Sequence, residues 1–169
     1  MTGVPVRDVV ERPVLEALVL SLAEDGIWHL SPHGGETIRA PWEPDLDPGE
    51  SIVDAVAAFG LAPVMVHSTS WRVVRRQIVL TFLVVIEQPD HASDALEVEQ
   101  MTRVALARGH ATGPPPLVHR SQIVEHGLRH LAWLLGEDRA IAEALPGWLA
   151  ALTDYAPEPF RAFSDEIGP

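Results

Sequence analysis

Apolar positions arrive along this chain in two rhythms. The first half carries short, nearly continuous apolar runs of strand length, and the last third carries apolar residues at helical spacing. Val14–Leu20 (Val-Leu-Glu-Ala-Leu-Val-Leu) is almost wholly apolar and reads as a central strand. Ala23-Glu24-Asp25-Gly26 is a turn, and Ile27–Leu30 returns as a second strand. Pro63 forces extended chain, so Met65–Val74 reads as a strand with Trp71 and Arg72 near its end. Arg75-Arg76-Gln77 turns the chain into a buried strand, Ile78–Ile86.

Between these pairs lies Ser31–Gly49, read as irregular from Pro32, Gly34, Gly35, Pro41, Pro44, Pro48 and Gly49. A short helix follows over Ser51–Phe59, with Ile52, Val56 and Phe59 on one face. Asp47 or Ser51 would cap its start, and Gly60 suits the position past its end. Pro89–Ala95 is a polar connection, a strand is expected near Arg103–Leu106, and Gly109–Pro116 is a linker. Ser121–Leu135 is the clearest helix, striped by Val124, Leu128, Leu131 and Leu135. Gly136-Glu137-Asp138 breaks it, and Arg139–Leu145 and Gly147–Leu152 are two further short helices divided by Pro146. Strands first and helices last indicate an α+β chain or a mixed α/β sandwich. The division expected is a leader over residues 1–13, a main domain over 14–135, and a helical extension over 136–169 packed on the same domain, with Phe160 and Phe163 docking from the tail.

Composition narrows the chemistry. The chain has 169 residues, 47% of them hydrophobic, which is enough for one domain with a real core. There is no Cys, so thiolate chemistry and disulfides are excluded. All 12 basic residues are Arg, which excludes a Schiff-base or P-loop lysine. A formal net charge of −12 opposes binding to a phosphate backbone, so no nucleic-acid partner is expected. The longest apolar run is too short to cross a bilayer, and no membrane partner is expected. The first residues, with Arg7, Asp8, Glu11 and Arg12, do not resemble a signal peptide, so the expected location is the cytoplasm.

Asp47-Pro48-Gly49-Glu50-Ser51, a short helix, Gly60-Leu61 and then two apolar strands resemble the Nudix hydrolase domain. In that family this loop and helix form the Nudix box, G-x5-E-x7-R-E-U-x-E-E-x-G-U. The resemblance covers roughly residues 14–135 and implies an α/β/α sandwich with a mixed sheet, carrying extra helices at its C-terminal end. It also implies a degenerate and shortened box. Glu50 and Gly60 are ten positions apart where the family pattern has fifteen. With Gly60-Leu61 as anchor, the family's paired glutamates fall on Ala57 and Ala58, and its Arg-Glu on Val53-Asp54. Nudix chemistry holds Mg²⁺ or Mn²⁺ against a diphosphate with several carboxylates of one helix, and alanine cannot ligate a hard cation. The function expected is therefore binding of a small phosphorylated, nucleotide-like molecule, or protein interaction, with no cofactor. The alternative is a divergent hydrolase of a nucleoside diphosphate derivative that uses Mg²⁺ or Mn²⁺ on Glu43, Glu50 and Asp54, with Arg72 on phosphate.

Four groups of residues are candidates for chemistry. The loop acids Glu43, Asp45, Asp47 and Glu50 offer oxygen ligands, against the plainer reading of a solvated acidic loop. His126 and His130 share a helix face at i, i+4 and would bind zinc or nickel only if His119 or His110 closed over them; no metal is expected there. Trp71, Arg72, Arg75 and Arg76 gather an aromatic ring and three arginines at one hairpin, suited to phosphate or a nucleobase. His67-Ser68-Thr69-Ser70 lacks the G-x-S-x-G elbow of a hydrolytic triad and reads as strand. Trp28, Trp42, Trp133 and Trp148 read as packing residues, and the C-terminal helices offer a surface for a homodimer.

Overall fold

The computed structural model describes residues 11–34, 36–87, 94–106 and 118–159. Its centre is one mixed sheet. Strand β1 (Glu11–Ala23) turns through Glu24-Asp25 into β2 (Gly26–Pro32), and β3 (Ile38–Pro41) pairs with the first half of β1. Helix α1 (Pro48–Ala57) leads to β4 (Pro63–Val74) and β5 (Gln77–Ile86), and β6 (Leu96–Gln100) pairs with β2. Helices α2 (Arg120–Glu137), α3 (Arg139–Ala144) and α4 (Trp148–Ala151) follow. The order across the sheet is β4-β5-β1-β2-β6, with β1 and β5 parallel and the other pairings antiparallel.

Strand alternation divides the core between two faces. Leu15, Ala17, Val19, Phe82, Val84 and Ile86 point to one face and bury Ile52 and Val56 of α1. Leu18, Leu20, Leu83 and Val85 point to the other and bury Val124, Leu128, Leu131 and Leu135 of α2, together with Leu145, Trp148 and Leu152. The expected α2 stripe is thus the stripe that packs, and the layers are α/β/α with the C-terminal helices on the α2 face.

Several boundaries differ from the sequence reading, each for a local reason. β1 begins at Glu11, inside the expected leader, because Glu11 pairs with Gln77 of the long β5. The segment read as irregular contains β3, whose partners lie on β1, remote in sequence. The last strand is Leu96–Gln100 and not Arg103–Leu106; the Arg103 guanidinium is drawn to Glu125 of α2 instead. α1 starts at Pro48, three residues early, since Asp47 caps it by accepting the Glu50 N–H at 3.0 Å and proline suits the first turn. Gly60 takes φ +75° just past that helix, the left-handed position glycine favours. Residues 89–93 of the expected connection Pro89–Ala95, the whole expected linker Gly109–Pro116, and Phe160 and Phe163 lie outside the described residues.

Gly127 lies mid-helix under the sheet. An added Cβ would meet Leu83 Cδ1 at 3.5 Å and Leu18 Cδ1 at 3.7 Å, ordinary contact distances. Gly127→Ala is therefore predicted to raise stability by about 0.5–1 kcal/mol through the backbone entropy term, as read by urea unfolding.

Candidate functional site

The loop acids spread outward. Glu43 is exposed and pairs with Arg12 at 3.4 Å, and Asp45 is exposed. Asp47 has one carboxylate oxygen committed to the α1 cap. Glu50 and Asp54 stand one turn apart on the exposed side of α1, beside Val53, Ala57 and Ala58. Among the described residues no group of three His, Asp or Glu side chains is arranged to hold a metal ion.

The hairpin residues divide because neighbours on a strand face opposite ways. Trp71 points outward and is 57% exposed, and Arg75 and Arg76 sit at the exposed β4–β5 turn with φ 47° and 72°. Arg72 points the other way, into a buried cluster built on Glu16 of β1. Its Nη1 lies 2.6 Å from Glu16 Oε2, and its Nη2 donates to Oε1 at 2.7 Å. Thr37 Oγ1 donates to Oε1 at 2.8 Å, Arg39 Nη2 to Oε1 at 3.3 Å, and Thr81 Oγ1 to Oε2 at 3.3 Å. Burial by itself would raise the Glu16 pKa. The Arg72 hydrogen bonds and charge, with Thr37 and Arg39, outweigh it and hold the carboxyl below its ordinary value. Nothing in the local sequence around Glu16 marks this cluster beyond a lone acid in an apolar strand.

α2 carries two further groups. His126 and His130 are buried with ring centroids 6.5 Å apart, and His67 of β4 stacks on His130 with ring centroids 5.0 Å apart. Trp133 lies 5.6 Å from His130. His119 is instead at the start of α2, where its N–H donates to Gln122 Oε1 at 3.0 Å, and His110 lies outside the described residues. Burial lowers the pKa of both His67 and His130. Glu125, 1% exposed, accepts from Arg103 at 3.1 Å and from Arg129 at 2.9 Å. The Arg103 guanidinium covers the Tyr155 ring, 4.0 Å from its centroid, so residues 103 and 155 are clamped onto α2. Beside this clamp a cleft of about 400 Å³ opens against the β1–β2 hairpin, with Leu22, Ile27 and Met101 as apolar walls and Asp25, Asp154 and Tyr155 at its polar side.

No family model matches the chain, and no curated protein matches it by sequence. Several solved structures align with it. A putative Nudix hydrolase family member from Chromobacterium violaceum aligns over 86% of this chain and 94% of its own, with 13% identity and a TM-score of 0.46. An Ap4A hydrolase of C. elegans aligns over 53% and 80%, with 9% identity and a TM-score of 0.42. The Nudix hydrolase RenU of M. smegmatis aligns over 53% and 71%, with 16% identity and a TM-score of 0.38. These likenesses concern the course of the chain only. The fold itself is the expected α/β/α sandwich on a mixed sheet, with the helix of the 47–61 segment on one face and the long helix α2 on the other. Among the described residues no helix is long and apolar enough to cross a membrane.

The buried titratable groups Glu16 and His29 each set a stability prediction. Glu16→Gln leaves Arg72 buried beside a neutral partner and is predicted to cost about 3 kcal/mol in urea unfolding near neutral pH. His29 of β2 is 0% exposed, neither ring nitrogen has a hydrogen-bond partner among the described residues, and its pKa is pushed down to about 4, first by burial and then by Arg120. The unfolded chain binds that proton at the ordinary value of about 6.5, so between the two values it binds more protons than the folded form. The His29 contribution is therefore complete above about pH 6.5 and is lost as pH falls toward 4, by about 3 kcal/mol. Unfolding of His29→Leu across this window is predicted to be correspondingly flatter with pH.

Proposed function

We propose that this Nudix-like domain works by recognition, of a small nucleotide-like molecule or of a protein, and not by metal-dependent cleavage of a pyrophosphate. The observation that carries the reading is the exposed side of α1. Val53, Ala57 and Ala58 stand there beside two carboxylates, Glu50 and Asp54, and the nearest further acid, Asp47, is used as the helix cap. A divalent cation bridging a diphosphate needs more oxygen ligands than one such pair supplies. The cleft of about 400 Å³ beside Arg103 and Tyr155 has the volume of a small-molecule site. The exposed Trp71-Arg75-Arg76 hairpin is a second surface open to a partner.

The alternative, a divergent hydrolase, draws support from Glu50 and Asp54 sharing one helical side. It would need Glu43 to leave Arg12, and Arg72 to leave Glu16, before either could serve a phosphate.

Calorimetric titration with Mg²⁺ and Mn²⁺, with Glu50→Gln as control, separates the two. The expected outcome is no saturable binding of either ion and no phosphate or nucleotide release from nucleoside diphosphate derivatives in their presence. Saturable binding abolished by Glu50→Gln, with turnover, would establish the hydrolase instead.

A further inference from the structure

The two edges of the sheet are built differently. β6, at one edge, has five residues and carries Glu97 and Glu99, which discourage further pairing. β4, at the other, has 12 residues and no acid, and among the described residues no strand pairs with its outer side. It also exposes Trp71 at 57%, Val73 at 54% and Val74 at 41%. A long apolar edge of this kind is a template for another strand. We propose that β4 pairs antiparallel with β4 of a second copy of this chain, continuing the sheet across a two-fold axis.

The register follows from a bulge. Ser68 lies opposite Phe82 and Ser70 opposite Thr81, so Thr69 is an extra residue in β4. That residue resets the alternation. Val66, before it, lies opposite Val84, and Trp71, after it, lies opposite Leu80, so both point to the α1 face. A two-fold axis between Ser68 and Thr69 sets Trp71 of each copy across from Val66 of the other. Without the bulge, Trp71 and Val66 would face opposite sides of the sheet and this pairing would leave the tryptophan without an apolar neighbour.

Charge selects the second copy and the antiparallel direction. Each chain carries −12, so two copies repel except where opposite charges are brought together. Arg75 and Arg76 are at one end of β4. Glu87, exposed, follows Ile86, which pairs with Pro63 at the other end. Antiparallel pairing brings the arginine tip of each copy to the Glu87 end of its mate, and the contact occurs twice by symmetry. Parallel pairing would set the two arginine tips against each other. The proposal is independent of whether the domain cleaves or only binds its ligand, and it leaves the Arg103–Tyr155 cleft on the far side of the sheet.

Sedimentation velocity of the full chain over a concentration series at low salt is the test. The expected result is a reversible dimer. Trp71→Glu should give a monomer with unchanged far-UV circular dichroism. Arg75→Glu and Glu87→Arg should each weaken the dimer about tenfold, and the two combined in one chain should restore it. This charge exchange decides the matter even if Trp71→Glu fails to fold. A wild-type chain that stays monomeric at the highest attainable concentration overturns the proposal. So does a dimer indifferent to Trp71→Glu, or a double variant no tighter than the single ones.

Discussion

Glu16 places a carboxylate inside the sheet, 1% exposed, where Arg72, Arg39, Thr37 and Thr81 converge on its two oxygens. A charge taken out of water at that depth costs several kcal/mol unless donors replace the lost hydration. Here the donors come from three separate pieces of chain: β4, β5, and β3 with the residue just before it. The central strand β1 is thereby tied to both of its neighbouring regions by directional bonds. Register is tied with it. A slip of β1 by one residue would turn Glu16 to the α1 face and strand the Arg72 guanidinium among apolar groups.

The same cluster divides the α2 face of the sheet into two kinds of surface. Leu18, Leu20, Leu83 and Val85 lie under α2 and the C-terminal helices and form an ordinary close-packed core. Glu16, His29, Ser31 and Thr81 are also buried but polar. The Glu125 clamp repeats the principle on α2 itself, holding Arg103 and Arg129 and, through Arg103, the Tyr155 ring. Two buried carboxylates thus consume Arg39, Arg72, Arg103 and Arg129. In a chain whose only cations besides histidine are arginines, four of the 12 are thus held by internal carboxylates, and the exposed Arg75-Arg76 turn stands out on an acidic surface.

The hairpin shows why residue type alone misplaces a site. Trp71, Arg72, Arg75 and Arg76 look like one ligand-contacting group in the sequence. Strand alternation sends Trp71 and Arg72 to opposite faces, and the turn carries Arg75 and Arg76 away from both. The histidines show the converse. His126 and His130 are visible as an i, i+4 pair, but the imidazole that stacks on His130 is His67 from β4, and no spacing rule relates residues so far apart.

By itself the sequence determined the stop of α1 and a cap at Asp47 or Ser51, the α2 stripe, and the β1–β2 and β4–β5 hairpins. All of these rest on interactions between residues a few positions apart, which periodicity and turn chemistry report. The tertiary structure alone decided the pairing of β3 with β1, the use of Leu96–Gln100 instead of Arg103–Leu106 as the last strand, and the capture of Arg72 by Glu16. Each of these is set by partners tens of residues away. Burying a charge or a strand edge depends on what the fold brings beside it, and a local pattern holds no record of that neighbour.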